Sequence, residues 1–293
     1  MSRCSKKCRV VAAVGLAVIL AGGAGAYLFV KSQEASAKES LGRNWRASER
    51  VSMNRIGHSR FDKLLKKHVD GDGYVDYSAW KKSAADRREL QTYLAELGRA
   101  DLNRRESKQS QLAFWINAYN AVTIEGILQV YPTSSIRKHT SRFGGYNIWK
   151  HLPLTVGGKK FSLNDIEHKI LRNMGEPRIH FAIVCASVGC PRIRNEAYTA
   201  DKLNAQLKDN TQDFFSRSKN FQVERGTIKL SSILKWFGSD FGGSKSAVLS
   251  YIRPYLPKTA QPLANSRTRV EYLDYDWRLN DQRSKPSWDR AVR

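Results

Sequence analysis

The sequence predicts an α+β fold: a single compact domain with a central buried helix, short strands and hairpins, preceded by an N-terminal transmembrane helix. Three observations lead to this prediction. Residues 111–131 are apolar on every side of a helical wheel, two segments have the form of β-hairpins, and residues 10–30 carry no charge. The sequence contains no internal repeat and no composition shift that would mark a second folded domain.

The apolar run at the N-terminus sets the expected location. Residues 10–30 are long enough to cross a bilayer, and the residues before them include basic side chains but no acid. The positive-inside rule then predicts that residues 1–9 form a cytoplasmic basic tail and that the main domain is periplasmic or otherwise extracytoplasmic. The alternative is cleavage near Ala37 by a signal peptidase, which would release a secreted protein. We expect a single-pass signal-anchor.

Composition predicts the remaining boundaries. Residues 31–57 are polar and charged without an apolar period, which indicates a stalk. The extracytoplasmic folded domain is expected to span residues 58–285, and residues 286–293 are expected to form a basic tail.

Turn residues predict where the strands lie. Residues 152–163 should form a hairpin around Gly157-Gly158, because paired glycines adopt the backbone conformation of tight turns. A second hairpin is expected over residues 221–231. Further strands are predicted at Tyr74–Tyr77, at residues 180–185 and at residues 270–280.

Apolar side chains at helical spacing predict the other helices. One covers residues 84–98, and another begins at Leu163, where Ser162 and Asp165 form a capping box. Thr199 is expected to cap the helix that follows it, and Ser231 or Ser232 to cap a short helix after the second hairpin. Residues 246–256 are also expected to be helical.

The charge balance points to anionic partners. The chain has 50 Lys and Arg against 27 Asp and Glu, a formal net charge of +23. Such a surface attracts anions, but an extracytoplasmic location makes nucleic acid an unsuitable partner. We expect the membrane, through residues 10–30, and an anionic envelope polymer or a peptide substrate as partners. No cofactor is predicted.

Polar residues on buried helix faces mark candidate site positions. Glu167 falls within the apolar face of its predicted helix and His168 at the edge, and a buried carboxylate is costly unless it is paired. We expect Arg178, His180 or a cluster of backbone groups to be its partner. Asn117 and Asn120 lie in the central helix, where buried amides require hydrogen-bond partners. Two roles are open for them: clamps on neighbouring loops, or orientation of a catalytic group.

The segment RIHFAIVCASVGCP, residues 178–191, contains two of the four cysteines. If it begins as a strand, His180 and Cys185 lie about 16 Å apart on opposite faces and form no direct dyad. Cys190 could return in the loop, and His168 could approach either cysteine. Four interpretations stay open: the nucleophile of a hydrolase, a disulfide or inert core, a metal site, and a redox pair.

The leading hypothesis is a cysteine-dependent hydrolase or transferase that acts on a peptide or amide. The alternative is a non-catalytic binding module for anionic polymers, with structural or redox cysteines. No metal site is assigned. The candidate catalytic residues are Cys185, Cys190, His168, His180, Glu167, Asn117 and Asn120, and the candidate binding residues are Arg178, Arg192 and Trp115.

Five motifs in order resemble the family of unknown function called DUF547. They are AFWINAYNAVTI, FSLNDIEHKILR, RIHFAIVCASVGCP, LSSILKWFGSDFG and YLDYDWRLN, and the resemblance covers roughly residues 75–280. It implies bacterial envelope proteins, and plant and animal proteins with added modules, among the relatives, but little mechanism. Because such relatives also occur in reducing compartments, the resemblance favours a functional role for the cysteines over a disulfide. The matching positions are Trp115, Asn117, Tyr119, Asn120, Glu167, His168, Arg178, His180, Cys185, Cys190 and Pro191.

Overall fold

The computed structural model describes residues 40–141 and 146–287 of the chain, which belong to one compact unit. Helices and short strands are mixed in it, and helix predominates. The α-helices are α1 (Ser59–His68), α2 (Tyr77–Lys82), α3 (Ala84–Leu97), α4 (Lys108–Val130), α5 (Ile148–His151), α6 (Leu163–Asp165), α7 (Leu203–Ser216), α8 (Ser232–Trp236) and α9 (Lys245–Ile252). The strands are β1 (Leu154–Val156), β2 (Lys159–Phe161), β3 (Phe221–Glu224), β4 (Thr227–Ser231) and β5 (Arg269–Leu273).

Helix α4 is the centre of the domain, as its all-round apolar character predicts. Ser107 caps its N-terminus by accepting a hydrogen bond from the backbone N–H of Ser110. The side chains from Leu112 to Leu128 are buried without interruption. A helix surrounded on all sides requires packing partners on all sides, and α2, α3 and α7 are among those that contact it.

Two hairpins confirm the turn predictions. β1 and β2 pair around Gly157 and Gly158, whose φ angles of +57° and +82° lie in the region that favours glycine. β3 and β4 pair around Arg225 and Gly226, and β5 then pairs with β4 in parallel to give the order β3-β4-β5. β5 is shorter than predicted, since it ends at Leu273.

The buried apolar side chains form two clusters. The larger one surrounds α4, and the smaller one is built from β3, β4, α7 and α9. The segment after Pro177 runs between them: Phe181 packs in the smaller cluster, whereas Ile179 and Ala182 pack in the larger one. The cysteine segment therefore lies where the two clusters meet.

The predicted fold class requires a correction. It included a transmembrane helix, and within residues 40–141 and 146–287 no helix is both long and apolar enough to cross a membrane. The predicted span, residues 10–30, and the basic tail before it lie outside the described residues. The described residues form a single domain of mixed structure in which helix predominates.

The strand predicted at residues 180–185 is wrong. Pro177–Phe181 is a 3₁₀ helix, and the Glu176 side chain accepts a hydrogen bond from the backbone N–H of Arg178 at its start. Residues 182–185 belong to no strand. The Asn120 side chain takes the place of a neighbouring strand, because its amide bonds to the backbone of Ala182 and Val184. The opposed geometry of His180 and Cys185 therefore does not apply.

Other elements differ locally. The helix expected from Leu163 continues beyond α6 as a π-helix, Ile166–Leu171, and a 3₁₀ turn, Arg172–Met174. A strand at Tyr74–Tyr77 is not formed, because only Val75 makes bridges and Tyr77 already opens α2. Thr199 does not cap α7, which begins at Leu203, whereas Ser231 caps α8 as predicted.

The segment expected to be a stalk contributes to the domain where the structure describes it. Leu41 bridges to Leu154 of β1, and the backbone N–H of Val51 donates to the carbonyl of Arg99 at 2.9 Å. Met53 is buried within the larger cluster. The packed domain thus begins well before residue 58.

Candidate functional site

A cavity of about 280 Å³ opens beside the cysteine segment. Polar and thiol-bearing side chains form one part of its wall, and aromatic side chains form the other. The first part includes Tyr119, Glu167, His168, His180, Cys185 and Cys190, and the second includes Trp149, Trp236, Phe237, Tyr275 and Trp277. An apolar cavity into which a few polar groups converge is the usual form of a binding site for small groups.

Backbone pairing fixes the cysteine loop. The N–H groups of Val188 and Gly189 donate to the carbonyls of Arg278 and Asp276, both at 2.8 Å. A Cβ added to Gly189 would lie 2.9 Å from the Asp276 nitrogen, so the close approach of these segments requires glycine there. Ala186 adopts φ +57°, an uncommon conformation for a residue with a side chain. The loop is therefore held in one shape against residues 276–280.

The two thiols are in direct contact and share a hydroxyl partner. Cys185 Sγ lies 2.7 Å from Cys190 Sγ, and both cysteines are free. Tyr275 Oη lies 3.0 Å from Cys185 Sγ and 3.1 Å from Cys190 Sγ. The backbone N–H of Cys185 donates to Cys190 Sγ at 3.0 Å. Hydrogen-bond donors are thus concentrated around Cys190, although its residue is only 3% exposed.

This arrangement separates the acidities of the two thiols. Burial alone would raise the pKa of Cys190, but hydrogen bonds from Cys185, Tyr275 and the loop backbone outweigh burial and lower it to about 7. The pKa of Cys185 is raised well above its ordinary value by its hydrogen bond to Cys190 and by burial. One thiolate near neutral pH therefore belongs to the pair, with the charge mainly on Cys190 and the remaining proton mainly on Cys185.

Glu167 lies on the cavity wall beside Tyr119, which donates a hydrogen bond from Oη to Glu167 Oε2 at 3.1 Å. Burial raises the pKa of Glu167, although the nearby His168 and the bond from Tyr119 oppose this rise. None of the partners expected from the sequence forms a hydrogen bond with this carboxyl group among the described residues. Its partner is a tyrosine of α4, and the site carries a carboxyl group that gains a proton more readily than an exposed one.

The two histidines belong to one chain of polar contacts. His180 Nε2 lies 2.8 Å from Asp240 Oδ2, and Arg172 binds both oxygens of Asp240 at 2.7 Å. Arg172 Nη1 also lies 3.1 Å from His168 Nδ1. A guanidinium only donates, so Nδ1 of His168 accepts and its ring proton resides on Nε2. The hydrogen bonds from Arg172 and His180 hold the pKa of Asp240 far below its usual range, and burial lowers the pKa of His180.

The structure brings together five of the predicted catalytic residues. Cys185, Cys190, His168, His180 and Glu167 all line the cavity. Within the part of the chain that the structure describes, no imidazole nitrogen forms a hydrogen bond with either sulfur.

The two predicted asparagines instead bind backbone groups. Asn120 holds the start of the cysteine loop, and Asn117 exchanges bonds of 2.8 and 2.9 Å with the backbone of Tyr198. The clamp role, one of the two left open by the sequence, is the one that these contacts describe. Asn120 acts on the site through the loop, whereas Asn117 acts on a different segment.

The predicted binding residues lie outside the cavity wall. Trp115 packs edge-to-face against Phe161 with ring centroids 5.1 Å apart. Arg178 pairs with Glu176 at 2.7 Å, and Arg192 pairs with Asp209 at 2.5 Å. Trp115 is thus part of the core packing, and each of the two arginines is paired with a nearby carboxylate. The binding of anionic polymers stays a prediction.

Several residues of the site lie in the C-terminal third of the chain, and the sequence analysis did not identify them. Tyr275 and Trp277 lie in the motif YLDYDWRLN, Trp236 in LSSILKWFGSDFG, and Asp240 in the same motif. The motifs were the available signal, since they concentrate aromatic and acidic residues next to predicted element ends. In residues 40–141 and 146–287, no group of three or more His, Cys, Asp and Glu side chains could hold a metal ion.

The fold and the site together define a helix-rich domain with a thiol pair facing an aromatic cavity. Residues 103–215 match the family model described as "Protein of unknown function, DUF547". The match includes both cysteines and Glu167, whereas Tyr275 lies beyond its end. Comparisons with curated proteins and with solved structures find no match.

Proposed function

We propose that Cys185 and Cys190 form a thiol–disulfide exchange centre that acts on a disulfide of another molecule. The observation that carries the proposal is the 2.7 Å contact between the two sulfurs, with one hydroxyl bonded to both. A reactive dithiol requires a thiolate near neutral pH and a second thiol in reach of the first, and the lowered pKa of Cys190 supports the first condition.

The reaction balances with the disulfide as the oxidant. The Cys190 thiolate attacks one sulfur of a substrate R–S–S–R′, which forms a mixed disulfide and releases R′S⁻. That thiolate takes the proton of Cys185, and the resulting Cys185 thiolate attacks Cys190 Sγ. The Cys185–Cys190 disulfide forms and RS⁻ leaves, so the substrate gains two electrons and the pair loses two.

A full-length protein in which Cys4 and Cys8 are replaced by Ser tests this mechanism. The reduced protein is mixed with hydroxyethyl disulfide near pH 7, and peptide masses locate the products. We expect an internal Cys185–Cys190 disulfide in this protein, a trapped mixed disulfide on Cys190 after Cys185→Ser, and little reaction after Cys190→Ser. Failure of the unaltered pair to become oxidised, with the domain folded, would overturn the proposal.

A second candidate is the cysteine-dependent hydrolase or transferase acting on a peptide or amide. It is favoured by the presence of Glu167 and His168 on the wall that also holds a thiol with a pKa of about 7. Against it stands the bonding of both imidazoles to Arg172 and Asp240, since such an enzyme requires a base that reaches the thiol.

The Cys185→Ser variant separates the two functions. A hydrolase with Cys190 as nucleophile retains turnover of a peptide p-nitrophenyl ester without Cys185, whereas an exchange centre cannot complete its cycle. Sustained release of nitrophenolate by this variant would therefore favour the hydrolase.

A further inference from the structure

The thiol pair is continuous with an aromatic surface. Tyr275, which contacts both sulfurs, lies with its ring centroid 4.5 Å from that of Trp277 and 4.9 Å from that of Trp236. Trp236 and Trp277 are stacked at 5.9 Å with an interplanar angle of 26°. We call Trp236, Tyr275 and Trp277 the aromatic platform. All three side chains line the cavity whose wall also contains the two cysteines.

The exposure of Trp236 is the unusual feature. Helix α8 buries Ile233 and Leu234 in the smaller core, yet leaves Trp236 48% exposed at the cavity. An exposed indole forgoes the stabilisation that burial of so large an apolar surface gives. Because the indole of Trp236 stays exposed in the folded protein, it is available to contact a ligand next to the two sulfurs.

The charges nearby restrict the kind of ligand. Lys150 belongs to the cavity wall, and the Arg137 guanidinium lies 5.2 Å from the ring centroid of Trp277. A cationic ligand would meet like charges there, which disfavours an ammonium group held by the aromatic rings. A neutral aromatic ring fits the platform better, because offset and edge-to-face contacts at such distances stabilise ring pairs.

We propose that the platform binds an aromatic side chain adjacent to the disulfide of a peptide substrate. The proposal rests on the thiol–disulfide exchange function and names its substrate class. A cavity of about 280 Å³ admits a single side chain with the adjoining disulfide, while the rest of the peptide stays outside. Trp236 is then a specificity-determining residue that positions the disulfide and takes no part in the sulfur chemistry.

Two matched peptide disulfides test this inference. The probes are the symmetric disulfides of acetyl-Cys-Trp-amide and acetyl-Cys-Ala-amide, and the rate of oxidation of the Cys185–Cys190 pair is measured in the full-length Cys4→Ser/Cys8→Ser protein. We expect the Trp peptide to react roughly three- to tenfold faster than the Ala peptide, which is the range of a favourable aromatic contact. Trp236→Ala should reduce this ratio to about one, because the Trp peptide loses the ring contact that distinguishes it from the Ala peptide.

Two further variants serve as controls. Trp236→Phe retains a ring and should keep most of the preference, whereas Trp45→Ala removes a half-buried indole that does not line the cavity and should leave the ratio unchanged. Equal rates for both peptides with the unaltered site, or a preference that survives Trp236→Ala, would overturn the inference while the exchange function stands. If neither peptide oxidises the pair, the exchange function fails and the inference fails with it.

Discussion

Tyr275 Oη lies within 3.1 Å of the sulfurs of both Cys185 and Cys190, and it joins a segment near the C-terminus to the cysteine loop. Burial and the neighbouring thiols raise the pKa of Tyr275 well above its ordinary value, so the phenol keeps its proton and can donate it to a thiolate. The hydroxyl therefore stabilises the charged form of the pair.

Tyr275→Phe removes this donor without removing the ring. We expect the apparent pKa for thiol alkylation to rise by about one unit, because a hydrogen bond to a charged group contributes roughly 1.5 kcal/mol or more and one pKa unit corresponds to about 1.4 kcal/mol. The measurement is the rate of iodoacetamide reaction from pH 5 to 9. Tyr198→Phe is the control, since that buried hydroxyl has no hydrogen-bond partner among the described residues; an equal shift in both variants would contradict the role of Tyr275.

Asn117 and Asn120 provide a matched pair on one helix. Each side chain makes two hydrogen bonds to backbone groups of a distant segment, but only Asn120 holds the cysteine loop. We expect Asn117→Ala and Asn120→Ala each to lower the free energy of unfolding by about 1–3 kcal/mol, because buried backbone groups lose their partners. Urea unfolding measures this loss.

The thiols then distinguish the two asparagines. Asn120→Ala should change the pH dependence of thiol alkylation, since the loop backbone that donates to Cys190 loses its support. Asn117→Ala should leave that dependence as it was. A change of the same size in both variants would mean that the effect is global and that Asn120 has no specific role at the site.

The fold was predictable where the determinants are local. The apolar character of α4 and the glycines of the first hairpin each act within a few residues, so they specify their elements in any context. The segment after Pro177 was not predictable in this way. Its apolar residues suit a buried strand, but the groups that bond its backbone are supplied by the side chain of Asn120, which lies 62 positions from Ala182.

In the candidate site, too, only the residues marked by a local sequence pattern were predictable. Glu167 was found from its position on an apolar helix face, and the cysteines from their loop, since these are local anomalies in a pattern. The contact of Tyr275 with Cys185 spans 90 positions and depends on the pairing of residues 186–189 with residues 276–280. Turn and strand patterns do not encode such a pairing, so the residue that bonds both thiols was missed.

Gly189 tests that pairing directly. In Gly189→Ala the added methyl group would lie 2.9 Å from the nitrogen and 3.1 Å from the oxygen of Asp276, so the two segments must move apart. We expect a loss of about 1–3 kcal/mol in the free energy of unfolding and a higher apparent pKa for thiol alkylation as Tyr275 recedes from the sulfurs. Urea unfolding and the alkylation profile measure the two effects. Gly57→Ala is the control, because a methyl group added there would have no atom of the described residues within 4 Å; a stable Gly189→Ala protein with an unchanged profile would contradict the role of the close approach.

Glu167 and Glu176 should give stability profiles of opposite slope with pH. Burial raises the pKa of Glu167 above its ordinary 4.5, so the unfolded chain releases this proton first and the free energy of unfolding falls as pH rises from about that value through the folded pKa. Burial also acts to raise the pKa of Glu176, but its bonds with Arg178 outweigh burial and lower it. Its ionised form therefore stabilises the fold above pH 4.5, and this contribution is lost on acidification through the lower folded pKa.

Replacement by glutamine separates these contributions. Glu167→Gln removes the ionisation and can still accept the hydrogen bond from Tyr119, so we expect it to gain stability relative to the unaltered protein as pH rises from about 5 to 8. Glu176→Gln should be less stable than the unaltered protein across this range, since Arg178 loses a charged partner. Urea unfolding at successive pH values gives both differences. A Glu167→Gln profile that runs parallel to that of the unaltered protein would mean that the Glu167 carboxyl group ionises as readily in the folded cavity as in water, and it would then be unsuited to hold a proton beside the thiols.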